Sequence, residues 1–321
     1  LSAVVRFAHL SDWHATTLEG GGPARFRGKR LSGWASWALN RRRHHDPAIL
    51  EAAIEDVRAQ AVDRVLVTGD LTHVSLEQEF LTAARQLARL GSPAEVFLIP
   101  GNHDCYVDLE AGSSWDHWAD YLRSDVAEDL PPELSRGVVQ RPAGFAPRHG
   151  DYPTLRCVGR LATVGLCSAI PTPIFRAGGE LGGPQLERLE DLLGELGELG
   201  FCRVVMVHHP VAARGEASRR ALWDGEGLRT VLARAGAELV IHGHKHRRLV
   251  NCVAGPAGGI PVVGVPSSSE VGSKPGRLAQ YHVYTARAHA SGGYALDAEI
   301  RGFDPETRRF VRIDEPLLDL G

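Results

Sequence analysis

The sequence predicts an α/β protein in which two sheets pack together and helices flank them. Three observations carry this expectation. β-Branched runs alternate with helical patterns through the first hundred residues, and strand-like runs dominate from Leu161 onward with only two helices between them. The composition is that of a folded globule: 321 residues, 43% hydrophobic and 23% charged. A chain of that length and balance can bury a core several layers deep, which excludes disorder, collagen and coiled coil.

The elements follow in order. Val4 to Leu10 reads as a strand. A helix then begins at Pro47, with Asp46 as N-cap, Pro47 at N1, and Ile49, Ala53, Ile54 and Val57 at helical spacing. Arg64 to Thr68 is the next strand. The second helix opens on a capping box of Ser75 and Gln78, shows an apolar face of Phe80, Leu81, Ala84, Leu87 and Leu90, and stops at Gly91 and Pro93. Glu95 to Ile99 completes a β-α-β-α-β series. Residues 105–160 read as an insertion of loops and a short helix, punctuated by Pro131, Pro132 and scattered glycines. Further strands are expected at Thr163 to Cys167, Arg203 to Val207, Glu238 to Ile241, Pro261 to Val265, Gln280 to Tyr284, Leu296 to Phe303 and Arg308 to Ile313. Helices are expected at Pro184 to Leu199 and Glu226 to Ala235.

Charge and cysteine usage narrow the classes of function. Thirty-six Lys and Arg against 39 Asp and Glu give a formal charge of -3, so no global basic field draws the chain to nucleic acid or anionic lipid. The five cysteines, Cys105, Cys157, Cys167, Cys202 and Cys252, are widely spaced and never form C-x-x-C, which argues against a disulfide framework and for a reducing, cytoplasmic setting. No run approaches the roughly 18 apolar residues that cross a bilayer. The chain opens at Leu1 rather than Met, so trimming upstream would remove a leader and compartment is only weakly constrained. Length allows two domains or one enlarged domain, and the regular pattern on both sides of 105–160 favours one.

The polar residues fall where chemistry would need them. Five apolar runs end in metal-type ligands: Asp12-Trp13-His14, Gly69-Asp70, Gly101-Asn102-His103-Asp104, His208-His209-Pro210, and His242-Gly243-His244-Lys245-His246. Strand ends of an α/β sheet converge on one edge, so the clusters are expected to meet in a polynuclear metal site. Any single cluster would mean little, whereas five after five strands are hard to obtain by accident. His9, His44, His45, His117, His149, His242, His282 and His289 lack that context and are assigned no role.

These blocks, in this order, resemble the calcineurin-like metallophosphoesterases, whose pattern is D-x-H, G-D, G-N-H-D or G-N-H-E, H, and G-H-x-H. They span Asp12 to His246, and the G-N-H-D form with His208 two places before Pro210 looks like the phosphodiesterase branch. The resemblance implies a four-layer α/β/β/α sandwich of two mixed sheets and one domain over 1–321, with insertions near 20–45 and 105–160. It also implies two divalent cations, manganese foremost, with iron, zinc or a mixed pair as alternatives. Asp12, His14 and His246 would hold one, Asn102, His208 and His244 the other, and Asp70 would bridge them. A hydroxide shared by cations about 3.5–4 Å apart would attack phosphorus in line. His103 would protonate the leaving oxygen with Asp104 orienting it, while His209 and His73 would face substrate.

One segment breaks the neutral balance. Arg25, Arg27, Lys29, Arg30, Arg41, Arg42 and Arg43 occur without an acidic residue, interleaved with Leu31, Trp34, Trp37, Ala38 and Leu39. Residues 31, 34 and 38 share one helical face, which reads either as a cap whose tryptophans pack inward or as a dock at the inner membrane face. Two substrates therefore compete: a cyclic nucleotide, favoured by the G-D-L-T-H and G-N-H-D stretches, and a lipid-linked nucleotide such as UDP-2,3-diacylglucosamine. Nucleic acid is disfavoured by the charge balance. A non-catalytic scaffold is the remaining alternative, and the intact ligand set argues against it. Oligomeric state is not legible.

Overall fold

A computed structural model describes residues 4–18, 26–126, 130, 132–135, 138–142, 144–211, 218–272, 274–290 and 292–318. Arg25 and the start of the 20–45 insertion lie outside the described residues. In chain order, β1 (Val4–Leu10) leads through α1 (Lys29–Ser36) and a π-helical turn (Trp37–Arg41) to α2 (Pro47–Ala59), β2 (Arg64–Val67), α3 (Glu77–Leu90) and β3 (Val96–Leu98). The short helices α4 (Ala119–Leu122) and α5 (Pro132–Ser135) precede β4 (Thr154–Val158) and β5 (Leu161–Gly165). Then come α6 (Gly183–Glu198), β6 (Cys202–Met206), α7 (Gly225–Ala235), β7 (Leu239–His242), β8 (Leu249–Gly255), β9 (Gly258–Gly264), β10 (Gln280–Ala288), β11 (Tyr294–Asp304) and β12 (Arg309–Ile313).

The strands form two six-stranded mixed sheets, ordered β12-β11-β10-β1-β2-β3 and β4-β5-β6-β7-β9-β8. Alternation along a strand sorts side chains between layers. In β6, Cys202, Val204 and Met206 join the core between the sheets, whereas Val205 and the following Val207 pack with Leu189, Leu192, Leu228 and Leu232 of α6 and α7. In the other sheet, Ile49, Ala53, Val57, Phe80 and Leu87 of α2 and α3 belong to the same core as Phe7, Leu66 and Phe97. The result is helix, sheet, sheet, helix, the four layers expected.

Register matters most for the site. Leu10 lies opposite Val67 and Val67 opposite Leu98, so β1, β2 and β3 run parallel and end level. Met206 and Ile241 do the same in the second sheet, with Ile241 opposite Val263 of β9. The loops after these strands are thereby brought to one edge.

Three local expectations change. Asp46 caps α2 as predicted, accepting from Ala48 N at 2.8 Å. The box at α3, however, sits one residue later: Leu76 is the N-cap residue and the buried Glu79 carboxylate accepts its N–H at 3.1 Å, together with those of Val74 and His73. Ser75 instead adopts φ 59 and donates its hydroxyl to the His103 carbonyl. β4 falls within the stretch read as insertion, and β8 is an additional strand. β8 is a half-exposed edge strand that lacks a continuous apolar run, so its sequence reads as loop. Finally, α1 turns inward not on Leu31, Trp34 and Ala38, which are exposed, but on Gly33 and Trp37. Trp37 packs with Leu18, Phe26, Val74 and Leu76.

Candidate metal centre

The strand-end loops build the site through tight backbone. Asp12, His14, Asp70, His244 and His246 all have positive φ, five of the nine non-glycine residues that do among the described residues, so this uncommon conformation is concentrated where the side chains must be aimed inward. Two glycines make the approach feasible. A Cβ on Gly101 would collide with Asp70 Oδ1, and one on Gly243 would collide with Ser11 Oγ. Asp104 locks the same region: its carboxylate accepts N–H groups from Asp70, Leu71, Thr72 and Gly101 at 2.8–3.0 Å.

The predicted ligands come together. Three overlapping sets, Asp12 with His14 and His246, His14 with Asp70 and His103, and Asp70 with His208 and His244, each place one donor atom per residue within 4.8 Å of the others. Asp70 Oδ2 stands 3.7 Å from His14 Nε2 and 3.2 Å from His208 Nε2. His246 Nε2 lies 3.3 Å from Asp12 Oδ1. Asn102 Oδ1 stands 2.8 Å from His244 Nδ1 and 3.2 Å from His208 Nε2.

The imidazoles are oriented from behind. His14 Nδ1 donates to Thr72 O at 2.7 Å, His208 Nδ1 to Thr68 O at 2.6 Å, and His246 Nδ1 lies 3.1 Å from Glu270 Oε2. In each case the Nδ1 anchor leaves Nε2 facing a carboxylate, and Nε2 would become the lone-pair donor to a cation once its proton is displaced. Burial alone would deprive His208 of charge, but Asp70 beside it prevails and lifts its imidazole to about 9. His246 rises to about 9 in the same way, against burial, through Asp12 and Glu270. For Asp70, burial acts upward but the imidazoles of His208 and His103 hold the carboxyl below its usual range. Buried His14 has no such compensation: desolvation and the neighbouring imidazoles push it well down. This donor set of carboxylates, imidazoles and one amide oxygen, without thiolate, fits borderline divalent cations.

Two expected roles need correction. Asp104 does not orient His103: its oxygens are taken by the backbone of the 70–72 and 101 turns, and His103 Nδ1 donates instead to His73 O at 2.6 Å. His209 does not face an open site. It is fully buried, its Nδ1 is 2.8 Å from Ser168 Oγ and its Nε2 3.2 Å from Ala177 O, and burial together with His208 lowers its pKa to about 3. His73 does border open space, a cavity of about 180 Å³ that it shares with His14, Thr16, Trp37, Arg42 and His45.

Other contributors went unread in the sequence. The loop after β9 carries Ser267, Ser268, Ser269 and Glu270, all buried. Ser267 Oγ donates to Asp12 O at 2.7 Å, Ser269 Oγ donates to Trp13 O, and Glu270 backs His246. The signal was available, since this polar run also follows an apolar strand. His45, assigned no role, sets its ring edge-on to His14 at 4.9 Å and to His246 at 5.5 Å.

Two packed sheets gather nitrogen and oxygen donors at one shared edge, a candidate site for divalent metal ions. The chain belongs to the calcineurin-like phosphoesterases, whose family model matches residues 5–248. It is 30% identical over 239 residues to a probable cyclic nucleotide phosphodiesterase of Synechococcus sp. (strain WH7803), covering 69% of this chain and 82% of that protein. Among solved structures, a dimetal phosphatase from Danio rerio superposes with a TM-score of 0.50 at 16% identity, over 93% of this chain and 95% of that one. A sulfate thiohydrolase of Thermus thermophilus gives 0.50 at 14% identity, over 96% of this chain and 58% of that one. At such identities the structures speak for the fold. Among the described residues no helix is long and apolar enough to cross a membrane.

Proposed function

We propose that this phosphoesterase hydrolyses phosphodiesters with two divalent cations. Asp12, His14 and His246 would hold one, Asn102, His208 and His244 would hold the other, and Asp70 would serve both. The observation that carries the reading is the Asp70 carboxylate standing between two imidazole Nε2 atoms whose Nδ1 protons are tied elsewhere. Bound there, the cations, manganese foremost, would neutralise phosphoryl oxygens and supply a nucleophilic water acidified into the neutral range. The chain's own residues do the rest. The His73 carbonyl fixes the His103 tautomer, which leaves Nε2 to carry the proton to the departing oxygen. Asp104 keeps the Asp70 and Gly101 turns closed, and Ser267 and Ser269 hold the backbone of residues 12 and 13.

A cyclic nucleotide is the substrate class favoured by the named relative. A lipid-linked nucleotide such as UDP-2,3-diacylglucosamine is the second reading, favoured by the exposed Leu31, Trp34 and Leu39 of the basic insertion. Five free cysteines accord with a reducing, cytoplasmic setting. The test is turnover of bis(p-nitrophenyl) phosphate, a cyclic nucleotide and the lipid-linked nucleotide by the manganese-loaded protein. Asp70→Ala is expected to lose about 10³-fold in kcat/KM, the equivalent of several kcal/mol of charge stabilisation. Full activity in that variant would overturn the proposal.

A further inference from the structure

Among the described residues, fourteen large hydrophobic side chains are exposed, and six of them fall on three short segments: Leu31, Trp34 and Leu39 in the insertion, Ile174 and Phe175 in the 172–176 turn, and Trp223. The segments are tied to one another. Lys29 Nζ donates to Thr172 Oγ1 at 2.8 Å, Ala177 N to Arg219 O at 2.7 Å, and Trp223 N to Gly179 O at 2.8 Å. Two of them also adjoin the centre. Lys29 lies 4.2 Å over the Tyr106 ring, Tyr106 stacks on His103, and the Ala177 carbonyl meets His209.

The charge of this belt departs from that of the whole chain. Residues 26–45, 169–179 and 218–223 contain no Asp or Glu, yet they carry Lys29 and eight arginines, although the chain as a whole is at -3; of these, Lys29 and Arg30 bond inward, to Thr172 and to the carbonyls of Val74 and Ser75. Phe175 is the sharpest feature. It is held at φ 66, which bulky residues rarely adopt, and is 87% exposed. Among the described residues, packing within the chain accounts for neither.

Apolar tips among cations, ringing a site, match the headgroup region of a membrane, where aromatic and aliphatic side chains enter the boundary and Arg and Lys meet phosphate. We propose that this belt docks the protein on an anionic lipid bilayer and turns the metal centre toward phosphoesters at that surface. The docking stands on the belt alone, and only its consequence for substrate rests on the phosphoesterase reading. An acidic protein or a nucleic acid would satisfy the charges, but a lipid surface is the partner that accommodates separated apolar tips and cations together.

The test is sedimentation of the full chain with vesicles of phosphatidylcholine alone and with phosphatidylglycerol added. Two double variants accompany it, Leu39→Ser with Phe175→Ser and Arg219→Glu with Arg220→Glu. Hydrolysis of bis(p-nitrophenyl) phosphate in solution checks that each is folded. Binding is expected to require phosphatidylglycerol and to weaken by about tenfold or more in each double variant, with turnover in solution unchanged. Absence of binding to anionic vesicles would overturn the proposal. So would an apolar variant that binds as tightly as the unaltered protein, the outcome expected of a purely ionic partner. A protein that sediments but fails to hydrolyse the diester would overturn the catalytic reading and leave the docking intact.

Discussion

The floor of the centre and its rim are held by different means. On the floor, His14, His208 and His246 each have one ring nitrogen anchored by a carbonyl or carboxylate, and Asp104 accepts four backbone N–H groups. On the rim, α1 is attached through Trp37, the close contact at Gly33, and side-chain bonds from Lys29 and Arg30, while its Leu31 and Trp34 face solvent. The contrast teaches that geometry for chemistry is stored in buried backbone-to-side-chain bonds, which tolerate little change. The segment over the site is fastened at only a few points.

Loosening the rim should therefore leave the floor intact. Trp37→Ala removes the largest side chain of the small cluster beneath α1, with an expected cost of about 3 kcal/mol in a denaturant titration and metal content unchanged. Loss of metal in that variant would merge the two regions. A smaller effect is expected from the floor's support. Glu270→Gln should weaken metal affinity by about 10–100-fold, measured by competition with a chelator, while kcat at saturating metal stays near that of the unaltered protein. A fall in kcat at saturation would mean that Glu270 acts on substrate rather than on His246.

The smallest effect is a pH slope at the rim. Burial brings Lys29 from 10.5 down to about 8, so between those values the unfolded chain holds a proton that the folded chain has released. Stability contributed at this residue should rise with pH across that window. Lys29→Met should flatten the curve relative to the unaltered protein between pH 8 and 10.5. An identical slope in the variant would show that the Lys29 amine is not desolvated against Tyr106.

How much of this was legible follows from what each residue does. The five strand-end blocks could be read because ligand-type side chains after apolar runs advertise both strand and site. Ser267 to Glu270 obeys the same rule but escaped, since serines that hold a backbone do not look like ligands. Asp104 was misassigned because neighbours in a tight turn point apart: its carboxylate turns back to residues 70–72 while the His103 ring reaches His73. The inward face of α1 was misjudged because a helical period identifies faces without saying which is covered. Here a glycine and Trp37 at the π-helical turn settle it. β8 was unread because Asn251 interrupts its apolar residues and, as an edge strand, it is largely exposed.

On the proposed function, one carboxylate, Asp70, would join two cations. The most direct measurement is electron paramagnetic resonance of the protein titrated with manganese, read together with bound metal per chain. An exchange-coupled pair is expected at about two equivalents, replaced in Asp70→Asn by uncoupled ions or by weaker binding. A spectrum of isolated ions in the unaltered protein, or a coupled pair that survives Asp70→Asn, would contradict it.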